Sequence, residues 1–254
     1  MQADQALAYR WRNGSLQPIA FPSRVRLDEL LGIERQKAEL LLNTRRFVAG
    51  RPANHALLTG SRGTGKSSLV KALLGEFSGE GLRLVEVHPH DLTELPDVVA
   101  PLRGRPERFL LYVDDFSVAQ NDPALAALKA ALDGGIEEPP DNVLIYGTSN
   151  RRHLMPEYRS ENEEFKFVDG ELHPGESSED KIALSERFGL WLSFPPFNQE
   201  MYLELVRLHL RRLGHAGWDE ETEKASLRWA LGRASRSGRV AQQFAKAWAG
   251  QAKV

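Results

Sequence analysis

The sequence contains no cysteine, which excludes disulfides, thiolate metal sites and a cysteine nucleophile while leaving the redox compartment open. It also lacks any run of about 18 apolar residues able to span a bilayer. The first residues, MQADQALAYRWRNGSLQPI, have no apolar run of the secretory kind. The expectation is a cytoplasmic protein without membrane attachment. Charge of one sign is scarce too: 33 Lys and Arg against 35 Asp and Glu leave a formal net charge of -2. Nothing global therefore attracts nucleic acid, which as a partner has no support in the composition. What is present is 254 residues, 41% hydrophobic and 27% charged. That suits one large folded domain, or one domain with a small appendage.

Along the chain, residues 1–27 scatter Tyr9, Trp11, Ile19, Phe21 and Val25 between Pro18 and Pro22, which reads as extended chain lying over a domain. From Asp28 the pattern turns helical, with Ala38, Leu41, Leu42, Arg45 and Val48 at three-to-four spacing and Gly50 as the stop. Five short apolar runs read as strands: HALLT (55–59), RLVEVH (83–88), FLLYV (109–113), NVLIYG (142–147) and LWLSF (190–194). Helical stretches alternate with them, KSSLVKALLGEF presenting Leu69, Val70, Leu73, Leu74 and Phe77 on one face. That alternation implies parallel strand–helix–strand units with helices on both sides of the sheet. Residues 157–180 are acidic, polar and poor in aliphatics, which suggests a partly disordered surface insertion. After Pro195-Pro196 three helical segments follow, the first ended by Gly214, the second by Gly232 and the third reading GRVAQQFAKAWAG. The expected division is an α/β core over 1–197 and a helical lid over 198–254.

Between the first strand and its helix runs GSRGTGKS, Gly60, Ser61, Arg62, Gly63, Thr64, Gly65, Lys66 and Ser67, followed by Ser68. A polyphosphate needs donors that crowd close to it, and glycines let successive backbone N–H groups turn inward. Lys66 supplies a point charge for the β- and γ-phosphates. The Ser67 hydroxyl is placed for Mg²⁺ at a helix N-terminus whose dipole suits an anion. The bland alternative is a glycine-rich turn with an incidental lysine.

FLLYVDD sets Asp114 and Asp115 at a strand end, where two carboxylates beside a core are costly without a task. Asp114 is assigned to Mg²⁺ and Asp115 to the base that handles the attacking water; the alternative is an Asp pair capping a loop. A further strand end finishes in Thr148, Ser149 and Asn150, a weaker signal because small polar residues there are usually turn formers.

In order and spacing these segments resemble the AAA+ ATPases. LDELLGIERQK, with Ile33, resembles the strip that packs on adenine. GSRGTGKS resembles Walker A, LLYVDD Walker B, and TSN, with Asn150, sensor 1. SERFG, with Arg187, looks like the segment of the arginine finger, and SGR, with Arg239, like sensor 2. LLGIERQKAELLLNTRRFVAG, TSNRRHLMPE and LSERFGLWLSF look like a bacterial AAA+ group, domain-of-unknown-function family 815. The resemblance implies a P-loop AAA+ fold: a three-layer α/β/α core around a five-stranded parallel sheet, with a small C-terminal helical lid. It also implies ATP or ADP with Mg²⁺ as cofactors, and a homo-oligomer in which Arg187 acts in trans and Arg239 in cis, serving an unknown protein client. One departure stands out. Most of these ATPases carry Glu where this chain has Asp115, and a carboxylate shifted by about 1 Å slows a reaction that depends on placement.

Three function classes follow. One is an ATPase motor coupling nucleotide state to core–lid and subunit movement, and another is a slowly hydrolysing switch or loader acting on a protein or DNA. The third is a small-molecule kinase, which would need an acceptor-binding segment that the sequence does not present. Other features have plainer readings. HPHD (88–91) lacks companions at zinc-like spacing, and Arg151-Arg152 suits a solvated turn as well as a contact. Arg207, Arg211 and Arg212 suit an exposed helix face, and Trp218, Trp229 and Trp248 suit lid core.

Overall fold

A computed structural model describes residues 6–116, 123–133, 138–150, 166–168, 171–173, 186–215 and 217–251. All five expected strands form: β3 (Ala56–Gly60), β4 (Leu82–Glu86), β5 (Arg108–Val113), β6 (Val143–Ser149) and β9 (Leu190–Phe194). They run parallel, in the order β4-β5-β6-β3-β9. β3 and β6 are buried along their whole length, as central strands covered on both faces must be.

The expected count of five is too low: among the described residues two further strands, β1 (Ala8–Arg12) and β2 (Ser15–Pro18), extend the sheet to the order β2-β1-β4-β5-β6-β3-β9. β1 joins β4 in parallel and β2 pairs back on β1 antiparallel. The N-terminal segment is therefore a hairpin extending the sheet edge. Its turn is Asn13-Gly14, with φ of 52° and 68°, the dipeptide whose left-handed preference fits a two-residue hairpin. Trp11 and Tyr9 bury themselves under this edge.

Helices cover both faces. α1 (Glu34–Val48) and α2 (Lys66–Phe77) pack on one, α3 (Leu95–Val99) and α4 (Pro123–Asp133) on the other. α2 buries Leu69, Val70, Leu73, Leu74 and Phe77, as its spacing predicts. α1 corrects its expected face. Leu42 and Arg45 are exposed, and the buried positions are Leu40, Asn43, Thr44 and Phe47. Two polar residues enter the core because Tyr146, on β6, brings a hydroxyl that Asn43 and Thr44 reach at 2.9 and 3.0 Å. A satisfied polar group can replace an aliphatic one in a core.

The C-terminal helices α5 (Gln199–Arg212), α6 (Glu220–Gly232) and α7 (Gly238–Gln251) gather around Tyr202, Val206, Leu210, Ala241 and Phe244. Asn198 and Asp219 accept backbone N–H bonds at the starts of α5 and α6, each at 2.8 Å. Phe197 packs against both this cluster and that of the sheet. The three tryptophans border the helical cluster. Within the acidic stretch 157–180, β7 (Lys166–Val168) and β8 (Glu171–His173) pair antiparallel; its remaining residues, like Arg151 and Arg152, lie outside the described residues. Among the described residues, no helix is long and apolar enough to cross a membrane.

Candidate nucleotide site

β3 ends at Gly60 and the chain loops back into α2. Gly65 turns into the helix at φ 99°, a conformation open to glycine at no steric cost. Gly63, at φ 72°, lies so close to α7 that an added Cβ would come within 2.7 Å of the Ser237 Cβ. In return Gly238 N–H donates to the Gly63 carbonyl at 2.9 Å, so the loop and the last helix are bonded directly. Thr64 is buried and closes the loop by donating to the Ser61 carbonyl at 2.8 Å.

Lys66 is only 4% exposed. Its ammonium donates to the carbonyls of Gly60 and Ser61, both at 2.7 Å, and to Asn150 Oδ1 at 3.1 Å. All three acceptors are neutral. Burial lowers its pKa to about 8, against the raising influence of Asp115 and then Asp114. A buried cation with no carboxylate in contact is under-compensated, which is the electrostatic signature of an anion site.

Facing it are the strand ends. Asp114 Oδ1 accepts from Ser67 Oγ at 2.7 Å, Thr148 Oγ1 at 2.6 Å and Asp115 N–H at 3.1 Å. Burial pushes this carboxyl up, but the hydroxyls of Thr148, Tyr112 and Ser67 together hold it below its ordinary value. Asp115 sits in the left-handed region at φ 51°, a cost of order 1–3 kcal/mol for a non-glycine residue that its surroundings must impose. Its N–H also donates to Thr148 Oγ1, and its carboxylate accepts from Asn150 Nδ2. Asn150 thus bridges Lys66 and Asp115.

These groups line one cleft of about 560 Å³, within the range of about 300–1,000 Å³ usual for small-molecule sites. Arg62, Gly63, Thr64, Gly65, Ser67 and Ser68 form its floor, with Lys66, Asp114, Asp115 and Asn150 at one end. Gly60 and Ser61 act from behind through their carbonyls. At the other end stand Val25, Leu30 and buried Ile33 from the core, with Leu205, His209 and Gln242 from the helical region. Arg239, in the first turn of α7, lines the same cleft. The donor set fits hydrated Mg²⁺, which takes one or two oxygen ligands from protein and the rest from phosphate and water. Ser67 and Asp114 are the protein groups placed for it. Among the described residues, no group of three or more His, Asp or Glu is arranged to hold a metal by itself.

Arg187, unlike Gly60 and Ser61 just behind the cleft, is an expected site residue that the fold does not bring to the cleft. It ion-pairs with Asp133, at the end of α4, at 2.6 Å. The basic stripe on α5 is committed locally as well: Arg207 stacks on Trp218 at 4.5 Å and Arg212 pairs with Glu29. Sequence reading missed His209, Gln242 and Leu205, which become cleft residues only through the folding of α5 and α7 over the loop. It also missed Tyr112, two positions before Asp114 and therefore on the same strand face.

Residues 4–252 match the family model described as "Protein of unknown function (DUF815)". No curated protein matches the chain. Among solved structures, the Holliday junction branch migration motor RuvB of Thermotoga maritima is similar, with a TM-score of 0.57 at 18% identity. The match covers 87% of this chain and 63% of that one. A point mutant of the same motor gives 0.58 at 17% identity, covering 87% and 64%. The chain thus spans a little under two thirds of the length of those structures. The likeness is one of fold: this is an AAA+ fold, with its parallel-dominated sheet between helices.

Proposed function

The chain belongs to the DUF815 family, and we propose that it is a cytoplasmic Mg-ATP-dependent AAA+ ATPase, working as a homo-oligomer on a protein client. The observation that carries this reading is the buried Lys66 ammonium at the head of α2, held by neutral acceptors alone and facing Ser67 and Asp114 across the cleft. A phosphate chain gives that cation its missing counter-charge. The loop N–H groups and the α2 N-terminus add to the attraction.

In this reading Ser67 and Asp114 hold Mg²⁺, which neutralises charge building on the β- and γ-phosphate oxygens. Asp115 accepts the proton of the attacking water, and Asn150 orients that carboxylate while touching Lys66. The apolar end, with Ile33, takes the base. The core (1–197) and the lid (198–254) move about Phe197, the side chain shared by both apolar clusters. Arg239 reports the γ-phosphate to the lid, because α7 is bonded to the loop at Gly63. Arg187 reaches a neighbouring copy's nucleotide in trans. Its absence from the lining of its own cleft supports that assignment, and leaving Asp133 is the cost.

A second reading, a slowly turning switch or loader, is favoured by Asp115 itself, short by one methylene and tied to Asn150. Size measurement with and without ATP, together with steady-state turnover, tests both. ATP-induced assembly with turnover of about 1 s⁻¹ or more supports the motor. Assembly with turnover below about 10⁻³ s⁻¹ supports the switch. A monomer in all nucleotide states removes the trans role of Arg187.

A further inference from the structure

Tyr112 lies two residues before Asp114 on β5, so both side chains leave the strand on one face. That face carries α2. Tyr112 packs in the cluster of Leu69, Val70 and Leu73, with the Lys71 ammonium 5.7 Å from its ring centroid. Leu111 and Val113 belong to the cluster on the opposite face. The Tyr112 side chain is 1% exposed, and its hydroxyl has no hydrogen-bond partner. A phenylalanine would fill the same space without leaving a buried polar group unpaired, so packing alone does not explain the hydroxyl.

Its neighbours supply the explanation. A phenol keeps its proton at neutral pH, so the hydroxyl has a donor to offer. Asp114, meanwhile, is used on one side only. Its Oδ1 accepts from Ser67, Thr148 and the Asp115 N–H, whereas no donor among the described residues bonds Oδ2. An unpaired donor and a half-used carboxylate therefore stand side by side, next to the serine placed for the metal.

We propose that Tyr112 is a positioning residue for the metal end of the site, its hydroxyl donating to Oδ2 of Asp114 when Mg²⁺ and phosphate occupy the cleft. The inference rests on the Mg-nucleotide reading above. The bond fixes the plane of the carboxylate, which the three donors on Oδ1 leave free to tilt. The hydroxyl thus strengthens the hold on the metal, as outer partners of metal-binding carboxylates do.

The test compares wild type with Tyr112→Phe, using a fluorescent ATP analogue. Without nucleotide, the variant's melting temperature stays equal or rises. In EDTA its affinity for the analogue stays within about twofold of wild type. The Mg²⁺ concentration giving half-maximal tightening of analogue binding rises about tenfold, the low end of what such partners contribute to metal affinity. An unchanged Mg²⁺ requirement overturns the proposal. A lowered melting temperature with equal weakening in EDTA and Mg²⁺ also overturns it, by assigning Tyr112 to packing. Wild type that fails to bind the analogue in either condition refutes the nucleotide reading and this inference with it, an outcome distinct from the other two.

Discussion

The two ends of the cleft are made differently. At the end proposed to take phosphate, Lys66, Ser67, Asp114, Asp115, Thr148 and Asn150 come from the segment after β3 or from the adjacent ends of β5 and β6, and hydrogen bonds of 2.6–3.1 Å tie each to another of them. At the end proposed to take the base, Val25, Leu30 and Ile33 meet Leu205, His209 and Gln242, and the two sets of residues come from segments far apart in the chain. The first end is a preorganised lattice on rigid elements. The second is a seam between core and helical region, closed by apolar contact, the Glu29–Arg212 ion pair and the backbone bond from Gly238 to Gly63. Hydrogen-bonded charge is concentrated at the strand ends, and apolar contact where the core meets the helical region.

Three substitutions probe that contrast, and a fourth lies outside it. Arg187→Ala has the largest expected effect on rate, about 10³-fold in turnover with ATP affinity unchanged, because the trans role proposed for the arginine acts only on the transferring phosphoryl group. Turnover and binding measured on one sample check this, and an equal loss in both sinks the trans assignment. Lys66→Ala acts on the phosphate end and lowers ATP affinity at least about 100-fold, the loss of charge-assisted bonds in a desolvated site. Arg239→Ala acts on the seam: affinity falls about tenfold, a single exposed charged contact, while protease protection of the helical region by ATP disappears. Protection that survives in this variant would detach Arg239 from lid sensing.

The smallest effect lies away from the cleft. His55 Nδ1 accepts from the Ile145 N–H at 2.9 Å, and burial draws its pKa from an ordinary 6.5 down to about 4. The unfolded chain therefore binds a proton that the folded chain refuses between those values. The stabilisation is complete above pH 6.5 and is lost as pH falls towards 4. His55→Gln flattens this part of the stability–pH curve, as followed by denaturant unfolding. A curve that keeps its slope assigns it to other groups.

The contrast also explains what was legible in the sequence. GSRGTGKS and the Asp114-Asp115 pair are contiguous, and their chemistry demands residue types at fixed spacing, so the phosphate end could be read directly. The base end could not, because His209 and Gln242 carry no local signal and acquire a place only when α5 and α7 fold over the loop. The five apolar strands and the three terminal helices followed from length and periodicity. The N-terminal hairpin did not, although Asn13-Gly14 marks its turn, because prolines on either side of residue 20 suggested irregular chain. The α1 face was misplaced because apolar spacing alone cannot foresee that Tyr146 draws Asn43 and Thr44 inward.

The central claim is that the buried, carboxylate-free Lys66 marks an ATP phosphate site. Calorimetric titration of ATP with Mg²⁺ into wild type and Lys66→Ala, both checked for folding by thermal melting, tests it most directly. The account predicts saturable one-to-one binding to wild type and none detectable in the folded variant. Equal binding by both proteins, or none by wild type, would contradict it.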